Sequence, residues 1–150
     1  MIRTALFTAL TLAMVLITSC KKDDDNNDLY PEGLHCKVDG IAWSANAGLT
    51  ATKTTILSIV GDNADGTKLR VSIEDLSTGT YVINSFTNIS VYTFSGFDFP
   101  PLNTEEGSLV VEDHDAEKKK IQGTFYFTGD NGQGDRVYLT EGTFNITYTE

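Results

Sequence analysis

From residue 30 onward apolar residues recur at every second position in short runs, and clusters of Asp, Asn and Gly separate the runs. No stretch of useful length carries a helical period. The pattern predicts an all-β fold, an antiparallel β-sandwich or barrel of about eight to ten strands. The opening run Cys36-Lys37-Val38-Asp39-Gly40-Ile41-Ala42-Trp43 reads as a hairpin, because Asp39-Gly40 supplies the positive φ values of a two-residue turn. That turn sets Val38 opposite Ile41 and places Ile41, Trp43 and Ala45 on one face. Further strands are expected over 55–60, 68–74, 79–83, 89–94, 109–112, 121–127, 136–140 and 144–148. The same alternation predicts a core of Val38, Ile41, Trp43, Leu57, Ile59, Leu69, Val71, Ile73, Tyr81, Leu109, Val111, Ile121, Phe125, Phe127, Val137, Leu139, Phe144 and Ile146.

Two stretches share a pattern, 57–69 and 125–137. Each is an apolar run, a Gly-Asp-Asn turn and a returning strand, followed later by Gly-Thr-aromatic at Gly79-Thr80-Tyr81 and Gly142-Thr143-Phe144. A half-repeat and convergent hairpin chemistry both account for this. Either way, Ile59 is expected to face Leu69, Phe127 to face Val137, and Tyr126 to face Tyr138 on the side away from Phe125.

The first 28 residues follow different rules. Arg3 precedes an apolar segment through Ile17 that suits a signal peptide and is short for a membrane span. Thr18-Ser19-Cys20 then matches the lipobox of bacterial lipoproteins. Residues 1–19 are expected to be removed and Cys20 to carry lipid, the link to its first partner, the membrane. Residues 20–29, dominated by Asp and Asn, bury nothing and read as a disordered tether, leaving residues 30–150 as one domain.

The formal net charge is −10, with 21 acidic against 11 basic residues, so nucleic acid is excluded as a partner. With Cys20 committed to lipid, Cys36 has no intrachain disulfide partner and reads as a small buried side chain. His35 and His114 lack ligand spacing. The loop acids and amides Asp62, Asn63, Asp65, Asp130, Asn131 and Asp135 fail a calcium-loop pattern at its first position, where Gly61 stands, and read as turn formers. Glu105, Glu106, Glu112, Asp113, Asp115 and Glu117 read as a solvated rim. No catalytic residue, metal or cofactor is therefore expected. The aromatics are the candidate ligand-binding residues: Tyr92, Phe94, Phe97 and Phe99 around a loop over 95–104 with Pro100-Pro101, together with Tyr126 and Tyr138.

The opening Cys36-Lys37-Val38-Asp39-Gly40-Ile41-Ala42-Trp43-Ser44-Ala45 and the closing Gly123-Thr124-Phe125 and Gly142-Thr143-Phe144 together resemble a family of Bacteroidota surface lipoproteins. The basic-then-acidic Lys21-Lys22-Asp23-Asp24-Asp25 looks like the export signal of such proteins. The resemblance implies an all-β, outer-membrane, lipid-anchored and surface-exposed protein, and carries no catalytic or binding residue. The expected function is a non-enzymatic binding or accessory domain for a glycan or protein partner. A hydrolase with an acidic site and a structural or inhibitory envelope protein are the alternatives.

Overall fold

The computed structural model describes residues 28–88, 90–93, 103–130 and 136–150. The described strands, in chain order, are β1 (Gly33–Val38), β2 (Ile41–Ser44), β3 (Ala47–Lys53), β4 (Leu57–Asp62), β5 (Lys68–Ile73), β6 (Gly79–Ile83), β7 (Val91–Thr93), β8 (Asn103–Asp115), β9 (Lys120–Asp130) and β10 (Arg136–Thr147). They form two antiparallel sheets that do not close into a barrel, one in the order β2-β1-β10-β9-β8-β6 and the other β3-β4-β5-β7. The fold is a β-sandwich, and no helix occurs among the described residues.

The core follows the alternation. Leu57, Ile59, Leu69, Val71 and Ile73 of the four-stranded sheet meet Leu34, Leu109, Ile121, Phe127, Leu139 and Phe144 of the six-stranded one. Trp43 is buried, and its indole N–H donates to the Thr67 hydroxyl at 2.7 Å, joining β2 to the loop before β5. A buried indole so partnered keeps its apolar area without stranding its donor. The chain end closes one side, where Thr149 bridges to Thr52 of β3.

Several expectations need correction. Val38 does pair with Ile41, but Ile41 is 75% exposed. It sits beside the hairpin tip on an edge strand, where the two-residue period continues but nothing lies opposite to bury it. Val38 and Tyr81 are partly buried against the core. Strand β3 lies outside the predicted set, since Ala47-Gly48-Leu49-Thr50 holds too few apolar residues to alternate, and these first four residues are exposed. Ile59 pairs with Val71 and Phe127 with Leu139, each two residues from the expected register. A two-residue slip preserves the face, which is why the predicted cores survive it. The strands expected over 136–140 and 144–148 are one strand, β10, with a bulge between Leu139 and Gly142. The two similar hairpins also lie in different sheets: Gly79 opens a strand whereas Gly142 lies inside one. Local hairpin chemistry accounts for the likeness.

The two Gly-Thr-Phe motifs have a structural reason. In the β9–β10 pairing Gly142 lies opposite Phe125, Thr143 opposite Thr124, and Phe144 opposite Gly123. A Cβ on Gly123 would stand 2.7 Å from the Phe144 ring and collide with the Val110 carbonyl; one on Gly142 would stand 2.6 Å from the Phe125 ring. Each phenyl thus packs over the other motif's glycine, where any side chain would clash. Both phenylalanines point into the core, and both threonines point outward.

Candidate functional site: the outer face of the six-stranded sheet

The outward residues of the long strands form rows across the sheet. One row runs Ser44, His35, Thr143, Thr124, Val110 and Thr80 from β2 to β6. The next holds Lys37, Tyr126, Ser108 and Val82, with the bulge residues Thr140 and Glu141 in β10. Beyond it Tyr138 faces Thr128, which faces Glu106. Tyr126 and Tyr138 therefore share the outer face as diagonal neighbours rather than directly opposed, and they are 56% and 51% exposed. Diagonal spacing, about 7 Å, leaves both rings within reach of one ligand.

Between these rows lies an open groove of about 510 Å³, lined by Ser108, Val110, Thr124, Phe125, Tyr126, Glu141, Gly142 and Thr143. Its size is that of a small-ligand site. The Gly-Thr-Phe pair makes much of its floor: Thr124, Gly142 and Thr143 lie there with Phe125 and Val110, so the lining is mostly apolar with hydroxyls set into it. The bulge makes its wall. Glu141 has φ of 50°, and its carboxylate meets Lys37 Nζ at 2.7 Å. The extra residue of a bulge re-aims its side chain, and here it turns a carboxylate to the groove with its charge already compensated. The groove thus offers one aromatic plate, several hydroxyls and a neutralised ion pair, within a chain of net charge −10.

One end of this face is covered. Residues 28–32 cross it ahead of β1: Leu29 N–H donates to Gln122 Oε1 at 2.8 Å, and Asn145 Nδ2 donates to the Tyr30 carbonyl at 2.7 Å. Lys120 pairs with Asp28. The Tyr30 hydroxyl donates to Glu112, and that carboxylate raises the phenol above its ordinary range. His35 braces the base of the crossing: its Nε2–H donates to the Glu32 carbonyl and Nδ1 meets the Ser44 hydroxyl, both at 2.9 Å.

Tyr92 faces the interior and is 5% exposed, paired with Leu69 across β5–β7, so it belongs to the core and not to a ligand surface. Phe94, Phe97 and Phe99, the loop over 95–104 up to residue 102, and the lipidation residue Cys20 lie outside the described residues. Cys36 is a buried free thiol whose pKa burial pushes up to about 12. His114 Nε2 lies 3.0 Å from the Tyr148 hydroxyl. Asp65 accepts from the Thr67 backbone N–H and hydroxyl, which holds its carboxyl below the usual range. Asn63 accepts from the Asp65 N–H. These side chains build the turn itself, as their spacing suggests. Glu105 pairs with Arg136 at 3.0 Å, and Asp115 caps the β8–β9 turn by accepting from the Glu117 and Lys118 N–H groups. No group of three or more His, Cys, Asp or Glu among the described residues is arranged to hold a metal ion.

Nothing in the local sequence around Glu141, Lys37 or the groove's threonines marks them as neighbours. One signal was present: inward apolar residues are odd-numbered through Val137 and Leu139 and even-numbered from Phe144. A change of parity within one strand marks a bulge.

Comparison with known proteins adds one result. The model of a family described as a domain of unknown function (DUF6252) matches residues 32–146. No curated protein matches the chain, and no solved structure does.

Proposed function

The chain belongs to the DUF6252 family of domains of unknown function, and on that premise we propose, from its geometry, that it is a non-enzymatic binding domain. Its ligand is a neutral glycan, and its site is the groove on the outer face of the six-stranded sheet. The observation that carries the reading is half-exposed Tyr126 in the wall of a mostly apolar groove that also carries Ser and Thr hydroxyls and a compensated Glu141, with half-exposed Tyr138 diagonal to it on the same face. Flat rings stack on the apolar faces of sugars, while Thr124, Thr143, Ser108 and Glu141 are placed to exchange hydrogen bonds with hydroxyl groups. A phosphorylated or nucleic-acid ligand would meet repulsion from an acidic chain.

The finer identity, a Bacteroidota lipoprotein held at the outer surface by lipid on Cys20, is part of the same proposal. The apolar leader, the Ser19-Cys20 junction and the acidic tether support it. The site is tested by a neutral-glycan binding screen on detergent-solubilised full-length protein, wild type against Tyr126→Ala and Tyr138→Ala. Binding lost with folding intact supports the groove; binding unchanged in both removes it. The anchor is tested separately, since Cys20→Ala should abolish lipid labelling and release the protein from membranes or leave it unprocessed.

A further inference from the structure

The outer face continues past the groove. Beyond the row of His35, Thr143, Thr124 and Val110 the next row is Gly33, Asn145, Gln122 and Asp113, and it is this row that residues 28–32 cover. Gln122 is 2% exposed and Asn145 fully buried, although both point away from the core. Their amides grip the backbone of Leu29 and Tyr30, and Gln122 Nε2 reaches toward Asp113 at 3.4 Å. Asn145 Oδ1 is buried with no hydrogen-bond partner. Under a permanent cover such a position favours apolar side chains, because an unsatisfied buried acceptor costs free energy. Under a cover that lifts, polar side chains are appropriate, since water or a ligand satisfies them in the open state.

The cover itself is thin. Leu29 is half exposed, Pro31 and Glu32 are exposed, and the ion pair to Lys120 lies at the surface edge. It is joined to β1 at Gly33, whose φ of 117° only glycine adopts without strain. Tyr30 alone of these residues is partly buried, with its hydroxyl on Glu112, and the others stay exposed, so the segment belongs to the low-stability end of the fold.

We propose that residues 28–32 are a latch laid across the binding face, and that its release opens the Asn145, Gln122 and Asp113 row as an extension of the groove for a longer chain of the same ligand. A short ligand fits beside the closed latch; a long one displaces it. Closure and long-ligand binding are then mutually exclusive, and each weakens the other. The latch stands on its own contacts, and the extension rests on the glycan reading above.

The test uses full-length protein and Leu29→Pro, which deletes the N–H that Gln122 accepts while leaving every strand untouched. First, side-chain amide exchange of Asn145 and Gln122 is followed by NMR. In wild type it should be faster than exchange of the β9–β10 backbone ladder, and in the variant faster again by about tenfold or more, with the ladder unchanged. Side-chain exchange no faster than the ladder, or a ladder that loosens with it, overturns the latch. Second, neutral oligosaccharides of two and six sugars are titrated. The variant should bind the six-sugar probes about threefold or more tightly and the two-sugar probes as wild type does. Equal effects on both lengths overturn the extension. Binding of neither length by either protein defeats the glycan reading and the extension with it, while the exchange result still decides the latch.

Discussion

The two sides of β9 and β10 are built from the same residues of sequence and obey opposite rules. On the inner side Gly123 and Gly142 alternate with Phe125 and Phe144 in a reciprocal pair that leaves the rings 3% and 0% exposed. On the outer side the residues between them, Thr124 and Thr143, floor an open groove beside a half-exposed Tyr126. The inner side cannot absorb a methyl group; the outer side has room for a ligand. A motif that looks like one signature therefore plays two parts, closing the core inside and setting threonine hydroxyls into the floor of the outer groove.

That contrast can be broken from the inside first. Gly123→Ala puts a Cβ into the Val110 carbonyl and against the Phe144 ring, and backbone cannot yield as a flexible side chain does. The expected loss exceeds about 4 kcal/mol, seen as an insoluble or unfolded product by circular dichroism. Phe144→Ala should cost about 3 to 5 kcal/mol in denaturant unfolding, because it empties a fully buried ring site and uncovers Gly123. Trp43→Ala, two strands away in the same sheet, belongs in the same range.

Cys36 tests the inner face by pH. Its thiol is pushed from 9.0 to about 12 by burial, so the folded state holds a proton that the unfolded chain releases above pH 9. Stability is unaffected below that and falls as pH rises from about 9 toward 12, by about 1.4 kcal/mol per pH unit at most. Comparing wild type with Cys36→Ala across that window should show the extra slope in wild type alone.

The outer face should respond in the other way. Tyr126→Ala is expected to change stability by about 0.5 kcal/mol or less while weakening glycan binding about tenfold or more, read by calorimetry on both counts. A large stability loss there would mean that the tyrosine is structural. Smallest of all, Lys37→Met should shift stability by a few tenths of a kcal/mol, roughly, since the pair with Glu141 is well exposed. Its sharper effect would be on ligand charge preference, because an uncompensated Glu141 would then face the groove.

Local chemistry alone determined a good part of this protein. Period-two alternation identified the strands and their inward residues, since a strand's faces follow from backbone geometry without knowledge of neighbours. Asp39-Gly40 announced its turn, and the Val38–Ile41 pairing follows from it. The tertiary structure decided what alternation cannot express. Whether an inward residue is buried depends on something lying opposite, which is why Ile41 is exposed and Tyr92 is not. The sandwich in place of a barrel depends on which edges meet. The groove depends on a bulge re-aiming Glu141 beside a lysine 104 positions away, and the covered end depends on amides of β9 and β10 gripping residues 28–32. Pairings between distant segments are set by the packing of the whole chain, and no local window of sequence contains them.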